Sequence, residues 1–280
     1  MAASVPSTAS SGEPILRFEN VSVAFEGAPA LIGLSFEAFA GESRVIMGAA
    51  GSGKTVLLKT ALGLARPDSG RVFVFGNEIG AMRERELFDI RSRIGMLFQE
   101  SALFDSLTIE ENVAYPLENQ KAIHCPPNEV LPRVEETLKF VELEGTLEKF
   151  PSELSGGMRR RVGIARAVVT VPPLVLYDSP TAGLDPITAH TIMALLIKQR
   201  DMAQTTTLMV THRYQDGNLV ANFRYNSEQG QLEPERKGAS HGGRTTFMVL
   251  REGRLVFEGD QDRLESSEDP YVSKFVKRRV

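Results

Sequence analysis

GAAGSGKT, residues 48–55, decides the reading of this chain. It fits the spacing G-x-x-x-x-G-K-[ST]. It stands between a short apolar run, RVIMG (44–48), and a helical pattern, VLLKTALGLA (56–65). Gly51 and Gly53 allow the main chain to fold tightly, so that consecutive amides point at phosphate oxygens. The helix that follows aims the positive end of its dipole at the same anion. Lys54 supplies a charge for β- and γ-phosphates, and Thr55 supplies a hydroxyl for Mg²⁺. The expected cradle is Gly48, Ala49, Ala50, Gly51, Ser52, Gly53, Lys54, Thr55 and Val56.

Outward from this loop the pattern repeats. LVLYD (174–178) and TTTLMVT (205–211) are near-continuous apolar runs flanking a helical stretch, ITAHTIMALLIKQRDM (187–202), with Asp185 as N-cap and Pro186 as first helical residue. Strands buried on both faces and alternating with helices indicate a parallel sheet covered by helices. LVLYD ends in Asp178, which can reach a metal shell at the carboxyl edge of such a sheet. ILRFENVSVAF (15–25) and LSFEAF (34–39) alternate instead, as half-buried strands do. The middle of the chain is helical, with Thr108 capping TIEENVAYPL and Val130, Val134, Leu138 and Val141 at helical spacing. FMVLREGRLVFEGD (247–260) reads as a hairpin turning at EGR.

The expected fold is therefore α/β: a P-loop NTPase core, an antiparallel β subdomain, and an α-helical subdomain at about 100–165. Residues 1–13 read as a disordered leader, 14–265 as the nucleotide-binding domain and 266–280 as a C-terminal tail. The polar stretch 226–244 reads as an inserted loop. Lys274, Lys277, Arg278 and Arg279 read as a frayed, solvated end, and Arg159-Arg160-Arg161 as a solvated helix face.

Of the 280 residues, 42% are hydrophobic, enough for a sizeable core. The net charge of −4 argues against nucleic acid as a partner. One cysteine, Cys125, excludes a disulfide framework. No apolar run reaches the ~20 residues of a membrane span. His124, His190 and His241 follow no metal-binding spacing.

Further motifs stand in a fixed order: GMLFQE (95–100), LSGGM (154–158), SPTAGLDP (179–186) directly after Asp178, and VTHR (210–213). This set resembles the ATP-binding-cassette (ABC) ATPases over about 15–260. By that resemblance LSGGM is the signature motif, Gln99 the Q-loop glutamine, Gly183-Leu184-Asp185 the D-loop, and His212 the switch histidine that senses the γ-phosphate. Phe25 lies where the family often has an adenine-stacking tyrosine. Thr55, Gln99 and Asp178 would serve Mg²⁺. The resemblance implies ATP clamped between two cassettes packed head to tail, identical or not, with Ser155, Gly156, Gly157 and Asp185 of one chain facing nucleotide on the other. It also implies a membrane permease partner and a place on the cytoplasmic face of the membrane. FQESALFDSLTIEENVAYPL (98–117), LSGGM in place of LSGGQ, and the ending DPYVSKFV look closest to the Mla-type (maintenance of lipid asymmetry) and related MCE-associated lipid transporters. That subgroup implies lipid cargo and an MCE-type lipid-binding protein in the same system. Phe104, Leu107 and Tyr115 are expected either to meet the permease or to pack in a core.

One departure matters. The family usually has glutamate after the Walker B aspartate, acting as general base or positioning water; this chain has Ser179. Three explanations stay open: pairing with a competent cassette, slow hydrolysis with His212 positioning the water, or alteration for trapping. Glu100, a carboxylate beside Gln99, gains little weight as a substitute base, because neighbouring residues on a strand point to opposite faces. An ATP-gated cassette of weak turnover is the alternative reading.

Overall fold

The computed structural model describes residues 12–235 and 245–277. Two strands open the chain, β1 (Leu16–Phe25) and β2 (Ala28–Ala38), followed by β3 (Ser43–Gly48), α1 (Lys54–Ala61), β4 (Ser69–Val74) and β5 (Asn77–Glu78). The next stretch is α2 (Glu84–Arg91), β6 (Ile94–Leu97), α3 (Ile109–Asn119), α4 (Pro127–Phe140) and α5 (Gly156–Val168). Then come β7 (Leu174–Asp178), α6 (Pro186–Ala203), β8 (Thr206–Thr211), α7 (Tyr214–Asn222), β9 (Phe223–Asn226) and β10 (Gln231–Pro234). The described part closes with β11 (Thr245–Arg251), β12 (Arg254–Gly259), α8 (Gln261–Glu265) and α9 (Ser273–Lys277).

The main sheet has the order β12-β11-β3-β8-β7-β6. All neighbours in it are parallel except the β11–β12 hairpin. A second, antiparallel sheet has the order β2-β1-β4-β5. This is the α/β core with an antiparallel β part that the sequence predicts. Alternation along each strand makes the layers: Val45 and Met47 of β3 enter an apolar cluster with α3 to α7, while Ile46 enters one shared with α1 and the antiparallel sheet. Tyr177 joins the first cluster and Leu174 and Leu176 the second. Both faces are thus sealed, and only the strand ends are free to carry chemistry.

Local signals hold. Thr108 and Glu111 form a reciprocal capping box on α3. Asp185 caps α6 by accepting from the amides of Ile187 and Thr188. The 251–254 hairpin turns through Glu252 and Gly253.

Several expectations need correction. Part of the stretch read as a loop is a hairpin, β9 pairing antiparallel with β10, fixed at its base by an Arg224–Glu233 ion pair; residues 236–244, His241 among them, lie outside the described residues. So do residues 1–11 of the expected leader and Arg278 and Arg279. The C-terminal segment is not a frayed tail: Val272 is buried in the main core, and Asp269 accepts from the amides of Tyr271 and Val272. The Tyr271 hydroxyl donates to the Leu250 carbonyl (3.0 Å) and accepts from the Ala49 amide (3.1 Å), tying the segment to the phosphate loop. Lys274 is exposed, as expected. Arg159 is also exposed, but Arg160 is buried, because its guanidinium satisfies carbonyl oxygens of two loops. Among the described residues no helix is long and apolar enough to cross a membrane.

Candidate functional site

Strand order builds the site. β3, β8 and β7 are adjacent and parallel, with β6 beyond β7, so their carboxyl ends leave the sheet along one edge. From that edge emerge the 48–55 loop, His212, Asp178 and the segment carrying Gln99. The carboxyl edge of a parallel sheet is where open α/β folds hold ligands.

The phosphate loop has the backbone its glycines permit. Gly53, at φ 98°, is the left-handed residue before α1. A side chain there would also run into the carbonyl oxygen of Ala30, so only glycine fits both demands. Lys54 Nζ donates to the carbonyls of Gly48 (2.9 Å) and Ala49 (2.8 Å) and lies 3.4 Å from Ser52 Oγ. Burial pushes its pKa below the ordinary lysine value, partly offset by the negative charge of Asp178. Thr55 Oγ1 donates to Asp178 Oδ2 at 2.9 Å. A hydroxyl and a carboxylate so placed are hard oxygen donors of the kind Mg²⁺ takes, with phosphate and water completing an octahedron. The donor set and the ammonium beside it fit a magnesium–triphosphate ligand, for which Thr55 and Asp178 would hold the metal and Lys54 the phosphates. Among the described residues no three His, Cys, Asp or Glu side chains cluster as a separate metal site.

Ser179 sits directly after Asp178 with a left-handed backbone, φ 49°. Its amide donates to the Val210 carbonyl (2.9 Å), and its hydroxyl donates to Asp178 Oδ1 (3.3 Å). Gln99 and Glu100 follow β6 in a turn and are not on a strand, so alternation does not govern where they face. Leu97 pairs with Tyr177, which brings the Gln99 segment out beside Asp178. His212 is exposed at the end of β8.

The β1–β2 hairpin ends with Phe25 opposite Ala28, close to the Ala30 carbonyl that packs under Gly53. Phe25 is 51% exposed, an open aromatic face at the end of the hairpin whose Ala30 packs against the phosphate loop. Base–aromatic stacking is worth about 1–3 kcal/mol. Phe25→Ala is therefore expected to weaken Mg-ATP binding roughly tenfold with little change in turnover at saturation, as a titration with a fluorescent ATP analogue and a steady-state assay would read.

The signature residues occupy a different place. Ser155 caps α5 by accepting from the Met158 amide (3.3 Å), and Ser155, Gly156 and Gly157 line a cleft of about 590 Å³ with Gly183, Leu184 and Asp185. The lining of that cleft does not include the phosphate loop. A side chain at Gly157 would press on the Thr188 methyl.

Three further residues shape the site: Asn112 and Asp216, which no motif marks, and Arg160, whose run reads as a solvated helix face. Arg160 donates to Phe98 O (3.1 Å) and approaches Ala182 O (3.4 Å), joining the Gln99 and 179–185 segments. Asn112, fully buried, donates to the carbonyls of Phe104, Leu107 and Thr108 and accepts from the Phe104 amide, which sets the 104–108 loop. Asp216 binds two threonine hydroxyls, Thr181 and Thr211. The polar residue inside an apolar helix pattern is the one signal Asn112 offered; the other two offered none at the level of spacing.

The sequence profile of the ABC transporter family matches residues 31–182. A methionine import ATP-binding protein of Mesorhizobium japonicum is 42% identical over 200 residues, covering 71% of this chain and 54% of that relative. An intermembrane phospholipid transport system ATP-binding protein of Haemophilus influenzae is 32% identical over 244 residues, covering 87% of this chain and 83% of the relative. The chain thus spans only about half the length of the methionine relative. Among solved structures, a dimeric ATP-binding cassette in a post-hydrolysis state with ADP and Pi superposes with a TM-score of 0.74 at 29% identity, over 88% of this chain and 98% of that one.

Proposed function

We propose, since this chain belongs to the ABC transporter family, that it is the ATP-binding subunit of a transporter, binding and hydrolysing Mg-ATP at a cassette dimer interface to drive a membrane permease. The observation that carries the reading is the Thr55–Asp178 hydrogen bond at the lip of the 48–55 loop, with the Lys54 ammonium beside it. Bound Mg²⁺ supplies charge neutralisation for a transferring phosphoryl group. With it bound, Lys54 would orient the phosphates and Phe25 would stack on the base, Thr55, Gln99 and Asp178 would serve the metal, and His212 would sense the γ-phosphate. The cleft of Ser155 to Gly157 and Asp185 suits the nucleotide of a second cassette, since exposed amides at the start of α5 attract an anion.

The permease contact is assigned to Phe104 and Tyr115. Their rings lie 4.7 Å apart, each about 40% exposed, with Arg166 above Phe104, and Asn112 fixes the loop beneath. Leu107 is half-buried and serves that loop's packing more than contact. The proposed cargo is phospholipid or another lipid, with an MCE-type lipid-binding protein in the same system. That rests on the subgroup resemblance and on the phospholipid-transport relative, while the methionine-import relative keeps the cargo open. The proposed place is the cytoplasmic face of the membrane, and nucleic acid is not a partner.

Ser179 favours a second reading, a cassette that closes on ATP but turns it over weakly or relies on a partner's site. Calorimetric titration with Mg-ATP is expected to give one site per chain, and phosphate release to be slow. No occupancy at millimolar Mg-ATP would remove both readings. Purification with the native membrane partner, followed by extraction of bound lipid, tests the cargo.

A further inference from the structure

Resting on the nucleotide-hydrolysing reading above, we infer that Asp216 is a positioning residue that locks the turn carrying His212 to the loop that begins at Ser179. Asp216 lies in the first turn of α7 and is 1% exposed. One of its oxygens, Oδ2, accepts from both Thr181 Oγ1 (2.6 Å) and Thr211 Oγ1 (2.8 Å). The two donors come from different loops: Thr181 lies two residues beyond Ser179, and Thr211 is the residue before His212.

Each hydroxyl also organises its own loop. Thr211 has a single proton and gives it to Asp216. Its oxygen then accepts from the Arg213 amide at 3.0 Å, so the chain folds around this hydroxyl with His212 at the tip. On the other side, the Ala182 amide donates to the Ser179 carbonyl (3.0 Å) and the Leu184 amide to the Thr181 carbonyl (3.3 Å). The loop from Ser179 to Asp185 is thus a compact turn, anchored to α7 by the bond from Thr181 to Asp216. Arg213 approaches Oδ1 at 3.7 Å. Burial raises the pKa of Asp216, while the two hydroxyl donors and the charges of Arg213 and His212 act the other way.

A carboxylate this buried is costly unless its hydrogen bonds are met, and here they come from the two segments whose relative position sets the attacking geometry. Displacing such a group by an ångström costs rate more than it costs binding. No atom of this tie belongs to the phosphate cradle or to the Thr55–Asp178 pair.

The test is single-turnover hydrolysis of Mg-ATP by the full chain, with Mg-ATP affinity and thermal midpoint measured on the same samples. Asp216→Ala is expected to slow the chemical step roughly tenfold and to leave affinity within about twofold. Asp216→Asn, whose amide oxygen can still accept from both threonines, is expected to recover most of the rate. Thr181→Val, close in shape but leaving Asp216 with only its Thr211 donor, is expected to lower the thermal midpoint somewhat, to slow the step by itself and to add little on top of Asp216→Ala. The inference is overturned by an unchanged rate in Asp216→Ala or Thr181→Val, by equal losses in the Ala and Asn variants, or by rate and affinity falling in proportion. If the parent chain binds no Mg-ATP, the nucleotide reading fails first and this inference goes with it. If the parent binds and hydrolyses while Thr181→Val matches it, only the role of Asp216 falls.

Discussion

A Ser179→Glu variant is expected to hydrolyse ATP at least about tenfold faster than the serine chain, with Mg-ATP affinity unchanged or slightly weaker. A general base contributes about 10²–10⁴-fold to a rate, and a serine hydroxyl cannot accept a proton at neutral pH. Here the Ser179 hydroxyl is already spent as a donor to Asp178 Oδ1. The backbone poses no obstacle to the exchange. Residue 179 is held at φ 49° by its amide bond to Val210, and glutamate meets the same left-handed strain that serine already bears. The new carboxylate would stand beside Asp178, and like-charge repulsion would raise its pKa towards neutrality, where a base works best. The same repulsion explains why binding should not tighten. Phosphate release at saturating Mg-ATP, set against a calorimetric affinity, reads both quantities. Ser179→Gln is the control: it matches the size without the base and should gain nothing. Equal turnover in the serine and glutamate chains would show that residue 179 does not limit the chemistry.

The elements that could be read from the sequence are those whose cause is local. RVIMG and LVLYD are apolar without a break because both sheet faces are covered, and GAAGSGKT between a strand and a helix has few other conformations open to it. The caps at Thr108 and Asp185 are written in residues three positions apart. What escaped was long-range. Nothing within 245–251 says that β11 lies beside β3, two hundred residues earlier in the chain, and that pairing is what carries Tyr271 to the Ala49 amide. Arg160 reads as one of three surface arginines because the carbonyls that bury it, Phe98 and Ala182, come from loops distant in sequence. Asp216 goes unmarked in the sequence because one of its two threonine donors, Thr181, is 35 residues away along the chain. NSEQGQLEP carries Gly230 and few apolar residues, so its turn was legible and its flanking strand pairing was not; β9 gains its footing through Tyr225, whose amide donates to Asp201 of α6. Signals that depend on spacing survive in one dimension, while signals that depend on which loop meets which do not.

Replacing Lys54 by alanine is expected to weaken Mg-ATP binding by about two orders of magnitude and to abolish turnover at ordinary ATP concentrations, as charge-assisted contacts to phosphate are among the strongest available to a side chain. In the free chain the ammonium is half-buried and held by the Gly48 and Ala49 carbonyls, which lie in the loop itself. That burial lowers its pKa, so the fold bears a cost in keeping the charge there. A phosphate anion compensates the cost, and its presence must then raise the pKa of the same group. The sign of the pH effect follows. Lys54's contribution to affinity is fully present below its free-state pKa and is lost as pH rises through the higher value of the bound state, with a proton taken up on binding in between. The alanine chain should lack this alkaline loss as well as the affinity itself. Its thermal midpoint should not fall, because removing a partly desolvated charge relieves a cost and leaves only loop carbonyls to be met by water. Titrations of both chains across the alkaline range separate this account from simple unfolding. A Lys54→Ala chain that kept its midpoint and its Mg-ATP affinity would move the phosphate site away from residues 48–55, and with it the Thr55–Asp178 pair would lose its reason to be a metal shell.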